Sequence, residues 1–324
     1  MKQRIDFFVV GAQKAGTTAL HYYLSRHPDI FLPRKKETHF FSDNHGEYPL
    51  GIDYYLDTYF PVSGQAGRLT GEVDPEYLFF PEVAPRLADA FPEARIIFVL
   101  RDPVSRAFSH YQMCLKLGSE TLDFQDAVMR EDERMNYFPE SAPSWDIANL
   151  YKPICDDPAR YRMLFNRSAQ SQFSYVQRGF YFKQISRYLD HFPRNNFLFV
   201  FSDELKTNTQ EVLNNVFRFL GVEEKLLSQI QEHQAHRGQA PKNIMLHRFL
   251  FRPSLAKEAA KIVVPKTIRL RLRAMLHKAN LQTASALKPS HETASNLRGL
   301  YREDIGQLSL LIDRDLSAWL GTSL

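Results

Sequence analysis

The chain has 324 residues, of which 44% are apolar and 24% charged, so it can bury a large core with the charge content of an ordinary globular protein. Its net charge of +4, with Lys and Arg scattered along the chain, suits an anionic ligand but is too small to argue for nucleic acid. Two cysteines, Cys114 and Cys155, are too few for a secreted disulfide scaffold and read as reduced thiols, with one bridge left open. There is neither a signal-peptide pattern nor an apolar run near the roughly 18 residues of a membrane span, so the expected compartment is the cytoplasm.

Ile5 to Val10 (IDFFVV) is a short apolar run that predicts a buried parallel strand. A glycine-bearing loop follows, Gly11 to Gly16, and then a helical pattern over Thr17 to Ser25. Strand, glycine loop and helix open a βαβ unit. A second strand is predicted over Arg95 to Leu100 (RIIFVL), and Pro103 suits the first turn of the helix continuing to Leu117. Phe138 to Arg167 carries four prolines and reads as the least regular part of an irregular insertion over about 118–175. Tyr181 to Phe192 is amphipathic, Asn196 to Phe201 predicts a third strand, and Gln210 to Leu220 another helix capped by Asp203 or Thr207. Arg252 to Lys278 carries eight Lys or Arg and one Glu; it reads as a solvated face or as an attractor of anionic glycan or membrane. Glu292 to Leu320 has helical periodicity, within a helical C-terminal part over 243–324. Strands separated by helices imply a parallel sheet, and no linker divides the chain, so a single domain over 1–324 is expected.

Gly11-Ala12-Gln13-Lys14-Ala15-Gly16-Thr17-Thr18 places two glycines around four residues, followed by two hydroxyls at a helix start. Such a loop turns its N–H groups toward one anion, and the helix N-terminus adds positive potential. A triphosphate loop would carry lysine after the second glycine; here that position is Thr17 and the lysine is Lys14, inside the loop. A P-loop kinase for a small metabolite, using ATP and Mg²⁺ with Asp102 as metal carboxylate, is the alternative.

Arg101 ends a predicted strand and Ser109 follows eight residues later in a helix, an arrangement that can close on a second phosphate. The other reading pairs Arg101 with Asp102 or Glu72. Between these motifs lies Lys35-Lys36-Glu37-Thr38-His39-Phe40-Phe41. Glu37 and His39 are candidates to accept a proton, or Glu37 pairs with Lys35 or Lys36 and His39 is structural.

The loop from Phe8 to Thr18, the Arg101 to Ser109 stretch and the Glu37-Thr38-His39-Phe40-Phe41 order resemble sulfotransferases that use 3'-phosphoadenylyl sulfate (PAPS). They are most similar to the bacterial and heparan sulfate-type branch. The resemblance implies an α/β fold, a P-loop-like parallel β-sheet flanked by helices of the sulfotransferase type. It implies PAPS as co-substrate and 3',5'-adenosine bisphosphate as product, with no metal required. By the same resemblance Gln13, Lys14, Ala15, Gly16, Thr17 and Thr18 hold the 5' end, and Arg101 and Ser109 the 3'-phosphate. Glu37 is then the general base, Lys14 steadies the leaving phosphate, and His39 assists. Gly71 to Leu78 resembles the segment lining the acceptor cleft, so Glu72 and Tyr77 are expected there, with Glu72 alternatively touching Lys14 or a buried ion-pair partner. Arg178 to Tyr181 resembles a segment near the cofactor. Arg237 and Gly238 resemble a late basic loop over the 3'-phosphate or adenine. The implied acceptor is a carbohydrate hydroxyl or amine, with a lipid or secondary metabolite as alternative.

Overall fold

A computed structural model of the chain describes residues 4–43, 46–61, 67–117, 119–137, 172–225, 239–243, 246, 271–272, 275–276, 279–283 and 288–321. By compactness the chain divides into two units. The first comprises Met1–Arg106, Arg178–Ala235 and Arg298–Leu324; the second comprises Ala107–Gln177 and His236–Leu297.

The first unit is built on five parallel strands. They are β1 (Phe7–Gly11), β2 (Ile30–Phe31), β3 (Leu69–Val73), β4 (Arg95–Leu100) and β5 (Phe197–Phe201), in the order β2-β3-β1-β4-β5. β1 is buried throughout and β4 is buried after Arg95, which explains their near-continuous apolar sequences. Phe7 lies opposite Gly71 on β3 and opposite Arg95 on β4. Gly71 is small for a reason: a Cβ there would stand 2.3 Å from the buried Phe7 ring. From β1 the chain runs to β2 and β3 on one side and then crosses to β4 and β5 on the other, so the C-terminal ends of β1 and β4 meet at a topological switch point, where open α/β sheets bind ligands.

Helix α1 (Thr17–Leu24) follows β1, α2 (Ile52–Tyr59) and α3 (Val83–Ala90) flank β3, and α4 (Pro103–Leu117) follows β4. Asp102 caps α4, its carboxylate accepting from the Ser105 amide at 2.7 Å. In the second unit Asp123 caps α5 (Phe124–Met129), and Glu131, at the start of α6 (Glu131–Tyr137), accepts the amides of Val176 and Gln177. Back in the first unit α7 (Tyr181–Leu189) buries Tyr181, Gln184, Ile185 and Tyr188, one face of a helix. A short α8 (Glu204–Thr207) precedes α9 (Thr209–Leu220). The expected caps differ: Asp203 precedes α8 without a side-chain cap bond, and Asn208, not Thr207, precedes α9. The second unit also holds an antiparallel pair, β6 (Gln239–Pro241) with β7 (Leu281–Thr283).

The C-terminal helix α10 (His291–Ile312) ends earlier than its periodicity predicts, at Asp313 with φ 51°, and a 3-10 turn follows over Ser317–Leu320. Buried Tyr301, Ile305 and Leu308 share a face of α10. Asp304 beside them accepts the amides of Phe182 and Lys183 at 2.9 and 3.0 Å, capping α7 from a distant part of the chain. The predicted insertion over Phe138 to Arg167, Cys155 and nearly all of the basic stretch from Arg252 to Lys278 lie outside the described residues. Cys114 is buried, and its thiol donates to the Gln172 carbonyl at 3.2 Å.

Candidate active site

The loop between β1 and α1 is pinned to the sheet before it turns. Ala12 donates to the Val99 carbonyl at 2.7 Å, and Leu78 donates to that of Val10 at 2.7 Å. A Cβ on Gly11 would stand 2.7 Å from that of Leu78, so this position admits only glycine without movement. The chain then passes through left-handed conformations at Lys14 (φ 69°) and Gly16 (φ 114°). Gln13 is tied down by its amide, which donates to Glu76 at 2.9 Å. Among the described residues, no protein acceptor takes the amides of Gly16, Thr17 or Thr18. Three unpaired N–H groups at a helix start make an anion cradle. Ala15 and Thr17 are buried within this turn, Lys14 is half-buried and Thr18 exposed.

Arg101 stands at the end of β4 and donates to the Lys14 carbonyl at 3.1 Å. The alternative pairings are not formed: Asp102 is engaged as the α4 cap and Glu72 by hydroxyls, and no carboxylate lies within ion-pair distance of Arg101 among the described residues. Burial lowers the pKa of Arg101, an effect partly opposed by Tyr181, Asp203 and Asp102. A partly desolvated cation with no carboxylate favours an anionic ligand. The Tyr181 hydroxyl donates to the Arg101 carbonyl at 2.7 Å and so holds this strand end. Ser109 lies on α4 in the second unit, half-buried. Arg237 and Gly238 lie outside the described residues.

The segment Glu37 to Phe41 is anchored by its own aromatics. Phe40 and Phe41 are buried; Phe40 stacks on Tyr55 at 4.6 Å and Phe41 meets Phe8 edge-on at 6.0 Å. Glu37 and His39 both have left-handed backbone, φ 61° and 63°. Such a conformation costs non-glycine residues roughly 1–2 kcal/mol each. Two carboxylates offset it. Glu72 accepts from the Thr38 amide at 3.2 Å, and Asp74 from the His39 amide at 2.8 Å. Residues two apart at a strand end face one way, so this pair reaches two successive amides. Glu37 itself is half-buried and ion-paired with Lys36.

Glu72 and Tyr77 were expected at an acceptor cleft. Both are fully buried beneath the Glu37 segment. Glu72 accepts from the hydroxyls of Thr38 and Tyr55 at 2.5 Å each and of Tyr77 at 3.1 Å, so its role is support. Burial, reinforced by the Asp74 charge, raises its pKa to about 7. Burial also opposes ionisation of Asp74, but His39 and the amides of Glu76 and His39 outweigh it and its pKa falls. The third acid of this stretch, Glu76, holds Gln13 and a buried Arg178, whose guanidinium donates at 2.8 Å. Asp74, Glu76 and Tyr181 received no role from the sequence. The alternation of acids in Glu72-Val73-Asp74-Pro75-Glu76 was the available signal, since period two places them on one side of an extended chain.

A parallel sheet with a glycine-bounded loop at its switch point defines the class: a P-loop-like α/β fold flanked by helices. More specifically, a model of the sulfotransferase domain matches residues 4–239, and the chain belongs to the sulfotransferase family of transferases. A crystal structure of a sulfotransferase from Alicyclobacillus acidocaldarius is 28% identical with a TM-score of 0.61, over 98% of this chain and 99% of that one. The bifunctional heparan sulfate N-deacetylase/N-sulfotransferase 2 of Bos taurus is 33% identical over 223 residues, 67% of this chain and 22% of that protein. The membrane-associated sulfotransferase kil1 of Dictyostelium discoideum is 26% identical over 271 residues, again 67% of this chain, and the chain spans 56% of its length. Among the described residues, no helix is long and apolar enough to cross a membrane.

Proposed function

We propose that the chain transfers the sulfuryl group of PAPS to a hydroxyl or amine of a carbohydrate. The observation that carries this reading is Arg101, a partly buried cation that touches the Lys14 carbonyl and, among the described residues, no carboxylate. A donor with a 3'-phosphate and a 5'-phosphosulfate needs two separate anion sites. The amides of Gly16 to Thr18, with Lys14, would take the 5' end, and Arg101 the 3'-phosphate.

In the proposed step the acceptor oxygen or nitrogen bonds to sulfur in line with the departing phosphate oxygen. The bridging S–O bond breaks and its electron pair leaves on the adenosine bisphosphate. Lys14 steadies that charge, and Glu37 takes the acceptor proton after parting from Lys36. Fixed donors supply the positive charge, so no metal is assigned a role. The names of the heparan sulfate relatives support a carbohydrate acceptor, and exposed Arg34 and Lys35 beside Glu37 suit an anionic one.

Calorimetric titration with 3',5'-adenosine bisphosphate, with ATP as comparison and no metal, tests the donor. Micromolar binding of the bisphosphate alone supports the proposal; Mg²⁺-dependent binding of ATP without response to the bisphosphate overturns it in favour of a kinase. Transfer of ³⁵S from PAPS to N-desulfated heparin, abolished in Glu37→Gln, tests acceptor class and base together.

A further inference from the structure

Asp74 makes two contacts to one residue. Its Oδ2 accepts the His39 amide at 2.8 Å and stands 3.0 Å from Nδ1 of the His39 ring. Its other oxygen accepts the Glu76 amide at 3.0 Å. The Asp74 side chain is fully buried, whereas that of His39 is 30% exposed, so one end of the pair is fixed in the core and the other is open to solvent. At that separation the ring nitrogen and the carboxylate attract as an ion pair when the ring is protonated. Such a pair favours the protonated imidazole and fixes its direction. Glu72, Tyr55, Tyr77 and Tyr188 also lie close enough to act on Asp74.

We propose that Asp74 is a positioning residue that acts through His39, holding both the backbone turn that carries Glu37 and the charge of the imidazole beside it. The catalytic part of this proposal rests on the reading of Glu37 as the base; the Asp74–His39 pairing does not. The carboxylate spends two of its contacts on a residue two positions from Glu37. Losing its charge therefore disturbs the turn and the ring together, while Ala12 keeps its bond to Val99 and Leu78 its bond to Val10.

The test combines ring titration with kinetics. The imidazole signals of ¹⁵N-labelled protein are followed against pH, with His39 assigned by its loss in His39→Ala. In Asp74→Asn the His39 midpoint is expected to fall by about one pH unit while other histidines hold. With PAPS and N-desulfated heparin, kcat is expected to fall about 10- to 100-fold with KM for PAPS within about twofold. Asp74→Asn added to His39→Ala is expected to cost less than the product of the two single losses, since the ring's share is already gone and only the bond to the residue-39 amide is left to weaken. Asp74→Ser serves as the second variant should the first fold poorly. An unmoved His39 midpoint in both variants overturns the proposal, as do losses that multiply in the double variant. A shifted midpoint together with full transfer by Glu37→Gln supports the pairing and overturns the reading of Glu37 as base.

Discussion

The Arg101 guanidinium donates to the carbonyl of Lys14 at 3.1 Å, so the two cations assigned to opposite ends of the donor are joined through the backbone of the anion loop. This contact places the end of β4 against the turn after β1 without using the Lys14 ammonium. Under the proposed function Arg101 then has a structural and a ligand-binding part, which substitutions can separate.

Arg101→Ala is expected to weaken binding of 3',5'-adenosine bisphosphate by about 1.5–3 kcal/mol, the range for a hydrogen bond to a charged group. That corresponds to roughly 10- to 100-fold in Kd by calorimetry. Arg101→Lys keeps the charge but loses the planar fork, and falls between. Unchanged affinity in Arg101→Ala would remove this residue from the site.

Tyr181→Phe removes the hydroxyl that donates to the Arg101 carbonyl. The bond is buried and neutral, so its loss costs about 1 kcal/mol. We expect bisphosphate affinity to drop by no more than about fivefold. A loss as large as that of Arg101→Ala would mean that Tyr181 touches the ligand itself.

Glu72 makes stability depend on pH. Its pKa is raised from 4.5 to about 7 in the folded state, by burial first and the Asp74 charge second. Between pH 4.5 and 7 the folded chain therefore binds more protons at this group than the unfolded chain. Stability from this group is present below pH 4.5 and is lost as pH rises toward 7, an effect of order 3 kcal/mol. Asp74, whose folded pKa is lowered, acts in the opposite sense but below pH 4. The midpoint of thermal unfolding should thus fall across pH 5 to 7 in the wild type and stay flatter in Glu72→Gln. Parallel curves for the two proteins would show that Glu72 ionises normally.

Gly71→Ala drives a methyl group into the buried Phe7 ring, which faces it across the β1–β3 pair. Overpacking of this kind costs about 1–3 kcal/mol. Chemical denaturation should show that loss, and Phe7→Leu in the same chain should return part of it. Full stability of Gly71→Ala alone would mean that β1 and β3 separate more easily than their register suggests.

Much of the first unit was legible because its signals are local. The β1 loop is written in consecutive residues, and β4 and β5 are short apolar runs whose neighbours are also apolar. β3 was not read as a strand, since Thr70 and Glu72 interrupt its pattern and look like surface residues. Both are buried, Thr70 donating its amide to Asp6 and Glu72 satisfied by three hydroxyls. The end of α10 was misplaced because periodicity continues past Asp313 while the backbone turns there.

The sequence by itself determined the order of the anion loop, the strand-end arginine and the Glu37 segment, because each depends on residue types at fixed short spacing. Tertiary structure alone decided what the carboxylates after β3 do. Glu72 became a buried support, Asp74 a partner of His39 and Glu76 a clamp on Gln13 and Arg178. The physical reason is that a carboxylate's role follows from its burial and its donors. Here the donors come from Gln13, Thr38, His39, Tyr55, Tyr77 and Arg178, which meet only when the chain folds.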